Sequence, residues 1–145
     1  MSRAIVCSNK TLEKNLDDKI YIVTGTTSGI GLETVTQLAK QFATVICASR
    51  NIDLSNNIIE KIKQETKNDK IYFIHLDLTS LQSVRAFVEQ FSNKFSRLDG
   101  LVNNAGVMHT PKQKTVDGFE LQFGVNYLSH FLLTELLIPH FKKIK

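Results

Sequence analysis

Residues 24–31 read Thr24-Gly25-Thr26-Thr27-Ser28-Gly29-Ile30-Gly31, and this stretch decides the fold of the chain. An apolar run precedes it at 20–23 and a segment with helical spacing follows it, which predicts a glycine-rich turn between a buried strand and a helix. Such a turn directs backbone N–H groups and the positive end of a helix toward one point, where a phosphate binds well. The G-x-x-x-G-x-G spacing differs from the usual G-x-G-x-x-G and lacks the Gly-Lys-Ser/Thr ending of a P-loop. The stretch is therefore predicted to form an anion-binding turn.

The glycines of this turn have different expected roles. Gly25 allows the chain to reverse directly after the strand, and Gly29 allows backbone to approach an anion without a Cβ in the way. Gly31 is expected to let the helix pack close to the sheet. Three glycines alone could form an ordinary tight turn, and it is their position between a strand and a helix that favours ligand binding.

Composition restricts the class of protein. The chain has 145 residues, enough for one domain with its own core, and its 42% hydrophobic and 22% charged content is typical of a folded soluble protein. The net charge of +4 is spread out, and the basic cluster Lys142-Lys143-Lys145 is interpreted as a solvated tail rather than a nucleic-acid site. Cys7 and Cys47 are far apart in the sequence and are expected to stay reduced.

Other sequence features argue against a metal site and a membrane span. The four histidines (75, 109, 130 and 140) have no metal-ligand spacing and are predicted to be structural or surface residues. Residues 1–18 lack the apolar stretch of a signal peptide, and no run in the sequence reaches transmembrane length. A cytoplasmic protein is expected, which is compatible with peripheral membrane association.

Strands and amphipathic helices alternate along the chain after a polar lead-in at 1–18, to which we assign no function beyond a short surface helix at 11–14. Apolar, β-branched runs predict strands at 19–24, 43–48, 70–76 and 98–103. Helical spacing predicts helices at about 30–41, from 54, from 81 and at about 117–138, the last ended by Pro139. A polar loop at 107–116 separates the fourth strand from the last helix.

Individual residues define the helices more closely. The expected apolar faces are Val35, Leu38 and Phe42 in the first helix, Leu54, Ile58 and Ile62 in the second, and Leu81, Val84, Val88, Phe91 and Phe95 in the third. Asp53 is predicted to be the N-cap of the second helix. Thr79 followed by Gln82 predicts a capping box at the start of the third.

This alternation predicts an α/β fold: a Rossmann-type, doubly wound parallel sheet with strand order 3-2-1-4. In such a sheet the winding reverses between the first and fourth strands, and ligands bind outside the carboxyl ends of the strands at that point. The turn at 25–31 and the pair Asn103-Asn104 are expected to meet there.

Four sequence blocks together resemble the short-chain dehydrogenase/reductase family: residues 24–31, Asp77-Leu78, Asn103-Asn104-Ala105-Gly106 and Gly124-Val125-Asn126. The segments 76–87 and 117–133 are similar to its retinol-dehydrogenase-like branch. The resemblance covers residues 19 to about 141. It implies that 19–145 form a truncated Rossmann domain that binds a nicotinamide dinucleotide and serves hydride transfer to or from an alcohol or carbonyl substrate.

The resemblance also implies roles for single residues. It implies dinucleotide contacts for Gly25, Thr26, Ser28, Gly29, Ile30, Gly31, Arg50, Asn51, Asp77, Leu78, Asn103, Asn104, Ala105 and Gly106. Asp77 would accept a hydrogen bond from the adenine amine, and Ala105 and Gly106 would lie against ribose and nicotinamide. Asn126 would be catalytic, holding a water in the proton path. The alternatives are a loop aspartate for Asp77 and amides that satisfy backbone for the asparagines.

The end of the second strand bears on the choice of cofactor. An acidic residue there would bind the ribose hydroxyls of NAD, whereas an arginine would bind the 2′-phosphate of NADP. Ser49 stands where the family's acid usually falls, and Arg50 follows it. The sequence therefore favours NADP over NAD.

The proton donor that the family uses has no counterpart in this sequence. The resemblance implies a tyrosine, a lysine four residues later and a serine upstream, all beyond the helix that ends at Pro139. Tyr21, Tyr72 and Tyr127 are followed at that spacing by glycine, leucine and phenylalanine. The chain is therefore interpreted as an N-terminal fragment of an NADP-dependent oxidoreductase, inactive alone. The alternatives are a non-catalytic dinucleotide-binding module or pseudoenzyme, and, less favoured, a methyltransferase.

The last predicted helix and the fourth strand suggest self-association. The helix carries apolar residues almost all round, which requires burial on more than one side. One face is expected at Leu121, Val125, Leu128, Leu132 and Leu136, with Phe123, Phe131 and Ile138 on others. The resemblance implies that a second subunit covers one side, so we expect a homo-oligomer through 117–138. The fourth strand is expected to present an unpaired edge.

Overall fold

The computed structural model describes residues 7–141, and its sheet has four parallel strands: β1 (Ile20–Thr24), β2 (Thr44–Ser49), β3 (Ile71–His75) and β4 (Gly100–Val102). They pair in the order β3-β2-β1-β4, which confirms the predicted topology. The winding reverses between β1 and β4, where Val23 is in register with Val102. The carboxyl ends of β1 and β4 therefore lie side by side.

Helices follow each strand and cover both faces of the sheet. They are α1 (Asn9–Leu12), α2 (Gly29–Lys40), α3 (Ile52–Thr66), α4 (Leu81–Lys94), α5 (Leu121–Phe123), a π-helical turn (Gly124–Leu128), α6 (Ser129–Leu137) and a 3₁₀ turn (Ile138–His140). The short lead-in helix is α1, two residues earlier than expected. The first six residues of the predicted lead-in and the basic cluster at 142–145 lie outside the described residues.

The apolar core has two parts, one on each side of the sheet. Alternation along β1 sends Ile22 to one side and Val23 to the other, and both side chains are fully buried. The first part contains Phe87 and Phe91 from α4 and Leu133 from α6. The second is formed by α2 and α3, with Val35, Ala39, Ile59 and Ile62. The sheet is thus buried on both faces, as expected of parallel strands.

The last helix differs most from the prediction. It begins at Leu121 rather than 117, because Glu120 is the N-cap and its carboxylate accepts the N–H groups of Gln122 and Phe123 at 2.9 and 2.7 Å. The residues before it form a tight hairpin in which the backbones of Lys114 and Glu120 pair as an isolated antiparallel β-bridge. Pro139 does not end the α-helix but lies inside the 3₁₀ turn that follows Leu137.

The predicted caps of α3 and α4 are wrong. Asn51, not Asp53, caps α3: its side-chain oxygen accepts the N–H of Leu54 at 3.0 Å. Ser80 caps α4 in place of Thr79. The Thr79 hydroxyl is used instead by the turn before the helix.

Two predicted apolar faces are displaced. Leu54 is 45% exposed, and the buried face of α3 includes Ser55, Ile59 and Ile62, of which Ile62 was expected. Phe42 lies beyond the end of α2 with a positive φ of 65° and is 47% exposed. Most of the other apolar positions expected on these faces do face the core: Val35, Ile62, Val84 and Phe91 are buried, and Leu38, Ile58, Val88 and Phe95 pack against it.

The exposed edge of β4 is partly covered. The N–H of Leu98 donates to the carbonyl of His140 at 2.7 Å, and Leu98 pairs with Phe141 as an isolated parallel bridge. The chain that leaves the 3₁₀ turn therefore comes alongside the start of this edge, which the sequence analysis had left unpaired.

Burial of single side chains gives a stability prediction. Val84 on α4 is fully buried, whereas Val116 is 78% exposed. Truncating Val84→Ala removes about two buried methylene equivalents and leaves a cavity, so we expect a loss of about 2 kcal/mol in the free energy of unfolding. Val116→Ala is the matched control and should change stability by less than about 0.5 kcal/mol. Equal effects in denaturant unfolding would contradict this core.

Candidate functional site

A cleft of about 370 Å³ opens at the carboxyl ends of the strands, beside the point where the winding reverses. Seven residues that the sequence analysis singled out line it: Gly25, Ser49, Arg50, Asp77, Leu78, Ala105 and Gly106. Six of the fifteen predicted site residues therefore line one cleft, from four separate stretches of chain, and the other nine lie outside its lining. This is the position at which doubly wound sheets bind ligands.

Glycine is required at two positions of the turn after β1. Gly25 has φ of 69°, and a Cβ on it would come within 2.8 Å of the Ala105 Cα. Gly29 has φ of 56° but faces open space, with nothing within 4 Å of the position that a Cβ would take. The start of α2 therefore presents bare backbone and the N–H groups of a helix N-terminus, which suits a phosphate.

Gly31 has a different role from the expected one. A Cβ on it would lie 2.1 Å from the Gly25 carbonyl oxygen and 2.5 Å from the side-chain nitrogen of Asn104. The absence of a side chain therefore lets α2 pack against its own turn and against Asn104. The sequence predicted that Gly31 lets α2 approach the sheet closely. The structure shows instead that α2 approaches the loops at the end of the sheet.

The Thr24 hydroxyl, which the sequence analysis did not single out, joins the two loops of the cleft. Its Oγ1 accepts the backbone N–H groups of Asn104 and Ala105, both at 2.9 Å. His130 Nε2 lies 2.9 Å away on the other side. Thr24 is fully buried at the end of β1, so these bonds form where water cannot replace them. No short sequence pattern marks this role, since its partners are 80 or more residues away.

The two asparagines after β4 act differently. The Asn104 side chain donates to the carbonyls of Thr24 and Gly25 at 2.9 and 3.1 Å, and so holds the glycine turn in place. Asn103 points away from the turn and donates to Thr134 Oγ1 on α6 at 3.0 Å. Only Asn104 ties the fourth strand to the turn as the resemblance implied for the block.

Three turn residues have side chains directed away from the cleft or into solvent. The Thr26 side chain is buried. Ile30 is 79% exposed and lines a groove on the side of α1. Ser28 is exposed, and as the N-cap residue of α2 it forms no side-chain capping bond. Any contact of Thr26 with a ligand would therefore come from its backbone.

Asp77 fixes the turn after β3. Its Oδ1 accepts from the backbone N–H and hydroxyl of Thr79, at 2.9 and 2.8 Å, and its own N–H donates to Ser83 Oγ at 2.9 Å. Leu78 is held from behind, because its carbonyl accepts the hydroxyl of Ser129 at 2.7 Å. The carboxylate thus lines the cleft and also has the loop role that was its alternative interpretation.

The end of β2 presents a cation and no carboxylate to the cleft. The Ser49 hydroxyl is buried and lies 2.7 Å from Ser55 Oγ, so it is directed into α3. Arg50 is exposed at the cleft wall. Asn51 uses its side-chain oxygen to cap α3 and is absent from the cleft lining.

The Asn126 amide pairs with the backbone of one residue across the cleft. Its Oδ1 accepts the Val107 N–H and its Nδ2 donates to the Val107 carbonyl, both at 2.8 Å. It lies in the π-helical turn, and a Cβ on Gly106 would be 3.4 Å from its Oδ1. The side chain therefore holds residues 105–107 against the helix. This is the alternative interpretation of Asn126 as an amide that bonds to backbone.

Two buried titratable groups lie near the site. Burial lowers the pKa of His130, and the hydrogen bond to the Asn126 carbonyl opposes that shift. Burial raises the pKa of the Cys47 thiol to about 12, against a smaller lowering by the bond to Thr26. Cys47 is therefore a protonated, unreactive thiol.

Sequence analysis missed most of the outer wall of the cleft. Val107, Gln113, Lys114, Val116, Leu121 and Val125 also line it. The hairpin that carries several of them is anchored by two bonds to the start of α4: the Val116 N–H donates to the Thr79 carbonyl at 2.9 Å, and Asp117 accepts the Leu81 N–H at 2.8 Å. The polar sequence at 107–116 indicated a loop but not that it lines the cleft.

Within residues 7–141, no group of histidine, cysteine, aspartate and glutamate side chains is arranged to hold a metal ion. No helix in that range is long and apolar enough to cross a bilayer.

The Thr24 hydroxyl gives a second prediction. Thr24→Val keeps the shape but leaves the Asn104 and Ala105 N–H groups without their acceptor, which should cost about 2–4 kcal/mol of folding stability. Thr24→Ser should retain most of it. Thr34→Val is the matched control, since that hydroxyl only bonds the Ile30 carbonyl within α2. Similar unfolding midpoints for Thr24→Val and Thr34→Val would contradict the assignment.

Comparison with known proteins identifies the family. A family model described as short chain dehydrogenase matches residues 19–145. Human polyprenol dehydrogenase is 49% identical over 126 residues, covering 87% of this chain and 38% of its own length. Mouse retinol dehydrogenase 12 is 42% identical over 133 residues, covering 92% of this chain and 42% of its own. The chain thus spans about two fifths of the length of these relatives.

Solved structures share the fold. An uncharacterised protein from Mycobacterium paratuberculosis superposes with a TM-score of 0.79 at 37% identity, covering 89% of this chain and 45% of that chain. A short chain dehydrogenase from Escherichia coli CFT073, solved in complex with NADPH, gives a TM-score of 0.74 at 28% identity, covering 88% of this chain and 55% of that chain. Sequence, sheet topology and relatives together show that the chain belongs to the short-chain dehydrogenase family and resembles its retinol dehydrogenases.

Proposed function

We propose that residues 19–145 form the NADP(H)-binding part of an oxidoreductase that transfers hydride between the cofactor and an alcohol or carbonyl substrate. The observation that carries this proposal is the cleft itself. A bare glycine turn at the N-terminus of α2 faces the segment from Asn104 to Gly106 across the point where the sheet winding reverses. Bound there, the nicotinamide ring supplies or accepts the hydride.

Each wall of the cleft suits a different part of a dinucleotide. The open backbone at Gly29 and the start of α2, which lie beside the cleft rather than in its lining, would hold the phosphates. Asp77 and Leu78 would bind the adenine, with one carboxylate oxygen of Asp77 already ordered by Thr79. Ala105 and Gly106, which carry little side chain, would allow ribose and nicotinamide to lie close to the backbone.

Charge at the cleft supports NADP over NAD. Arg50 and Lys114 both line it, whereas the one carboxylate in the lining is that of Asp77. Ser49 is turned into α3, so neither a carboxylate nor a free hydroxyl at the end of β2 is available for the ribose hydroxyls. A guanidinium there suits a 2′-phosphate. Solved relatives from Escherichia coli and Shigella flexneri contain NADPH and NADP, respectively.

Asn126 is proposed to contribute to the site mainly by shape. Its bonds to Val107 fix the backbone that follows Gly106, and Asn126 itself is exposed in the π-helical turn, next to Val125 of the cleft lining. We retain the proposal that it also orders a water in the proton path.

Relatives suggest the class of substrate. Proteins named for retinol and polyprenol are among those most similar to this chain. An alcohol or aldehyde with a long apolar isoprenoid chain is therefore the first class to test. A non-catalytic dinucleotide-binding protein is the second candidate, because none of the three tyrosines has a lysine four residues later.

Arg50 provides the test of cofactor choice. Loss of a guanidinium–phosphate contact should cost about 1.5–3 kcal/mol, so we expect Arg50→Ala to weaken NADPH binding by about tenfold or more and leave NADH binding nearly unchanged. The measurement is calorimetric titration with both cofactors. Arg85→Ala, an exposed arginine on α4 outside the cleft lining, is the control. An unchanged preference for NADPH in Arg50→Ala would overturn the assignment.

Turnover tests the proton donor. We expect the 145-residue chain to oxidise no NADPH above the buffer blank with a panel of aldehydes, ketones and retinoid-like carbonyls, since it has no tyrosine–lysine pair at the required spacing. Protein-dependent oxidation that scales with the amount of purified chain would show that another group supplies the proton.

Self-association is proposed to occur through the last helix. Phe123, Tyr127 and Phe131 form an exposed aromatic stripe, 49%, 58% and 53% exposed, with adjacent rings 5.4 and 6.2 Å apart. We expect sedimentation at several concentrations to show association that Phe131→Lys weakens. Phe42→Lys, at an aromatic residue exposed elsewhere, is the control and should leave it unchanged. A monomer at every concentration would contradict the proposal.

A further inference from the structure

The buried imidazole of His130 connects three parts of the cleft. His130 lies on α6 and is 6% exposed. Its Nε2 is 2.9 Å from Thr24 Oγ1 at the end of β1, and its Nδ1 is 3.3 Å from the main-chain oxygen of Asn126 in the π-helical turn. Through Thr24 the ring is also connected to the backbone after β4. Sequence analysis had classed this histidine only as structural or surface.

The hydrogen bonds around Thr24 determine where each proton lies. A hydroxyl has one proton and two lone pairs, and both lone pairs of Oγ1 accept N–H groups, from Asn104 and Ala105. The hydroxyl must therefore donate. His130 Nε2 at 2.9 Å is nearer than the Val102 carbonyl at 3.4 Å. His130 then accepts at Nε2, carries its proton on Nδ1 and donates it to the Asn126 carbonyl.

We propose that neutral His130 is a positioning residue for the cofactor-facing loops, because it accepts the Thr24 proton and thereby leaves that hydroxyl free to hold the Asn104 and Ala105 N–H groups. The proposed function supplies the identity of the ligand in this inference. The chain of hydrogen bonds from the His130 imidazole through Thr24 to the Asn104 and Ala105 N–H groups, here called the relay, does not depend on that function.

Protonation of the ring would break this arrangement. A proton on Nε2 turns it into a donor facing a hydroxyl oxygen whose lone pairs are both in use. The hydroxyl would have to turn toward Val102, and either Asn104 or Ala105 would lose its acceptor. The folded-state pKa of His130 is lowered by burial, so its contribution is complete above the ordinary histidine pKa and is lost as pH falls through the lowered value.

Neighbouring ionisable groups do not offer the ring a charged partner. The causes of its pKa shift are burial and the Asn126 carbonyl alone. The charged side chains on α6 and on the packed helix α4 are all exposed, as is Tyr127 in the π-helical turn, and the adjoining elements also carry a half-buried tyrosine and a half-buried histidine. These groups are Glu135, Arg85, Glu89, Lys94, Tyr21 and His140.

Amide resonances of the unmutated chain test the relay without any ligand, and two variants serve as comparisons. In the unmutated chain, a pH titration followed by ¹⁵N–¹H spectra should move the Asn104 and Ala105 amide signals with the same midpoint as the His130 ring signals. In His130→Gln, whose amide oxygen can accept the Thr24 proton but cannot titrate, those signals should stay in place. His140→Gln, which alters the imidazole that contacts Ser92, should behave like the unmutated chain. Amide signals in the unmutated chain that ignore the ring titration overturn the relay.

Cofactor affinity tests the consequence. As pH falls through the midpoint of the His130 ring titration, the ratio of the NADPH Kd of the unmutated chain to that of His130→Gln should rise, by at most about tenfold per pH unit for one linked proton. The 2′-phosphate titrates near pH 6 and contributes equally to both proteins, so it cancels in the ratio. Parallel pH profiles overturn the proposal. If the unmutated chain binds no NADPH at any pH, the proposed function fails, while the amide titration still decides the relay.

Discussion

The hydrogen bonds that join the ends of β1 and β4 set the geometry of the cleft. Parallel strands bring their carboxyl ends to one edge, but nothing in the sheet fixes how the following loops face each other. Thr24 and Asn104 do so: the hydroxyl of one and the amide of the other bond the opposite loop through four contacts of 2.9–3.1 Å. These groups are largely buried, so their bonds hold the glycine turn against the segment after β4 at little loss to water.

Glycines allow the turn after β1 and the segment after β4 to pack closely against each other. A side chain at Gly25 or Gly31 would collide with Ala105 or Asn104. The same sequence feature that opens backbone to a phosphate at Gly29 therefore also lets two loops from opposite ends of the chain pack together. The glycines of this one turn therefore serve both access of a phosphate to the backbone and packing of the two loops. The positive charge at the cleft comes from residues outside these two loops, namely Arg50 at the end of β2 and Lys114 on the hairpin.

Local sequence patterns were sufficient for the strand order, but only six of the sixteen residues that line the cleft were predicted as site residues. Apolar runs and glycine placement are short-range signals, and the resemblance supplied the blocks at 77–78 and 103–106. The roles of Thr24 and His130 depend on a contact between residues 106 positions apart, which no local pattern contains. The last helix starts later than expected because Glu120 is its N-cap, while Asp117 accepts the Leu81 N–H at the start of α4. Asn51 was assigned to the cofactor, but its side chain is the cap of α3.

The central claim is that the cleft between the glycine turn and the segment after β4 binds a nicotinamide dinucleotide. Its most direct test is to titrate the ¹⁵N-labelled chain with NADPH and map the amide signals that change. We predict saturable changes at residues 25–31, 77–79 and 104–107, with little effect on the outer face of α3. Saturable changes confined to Thr11, Leu12, Gln37 and Gln41 in the groove between α1 and α2, or none at all, would contradict the account.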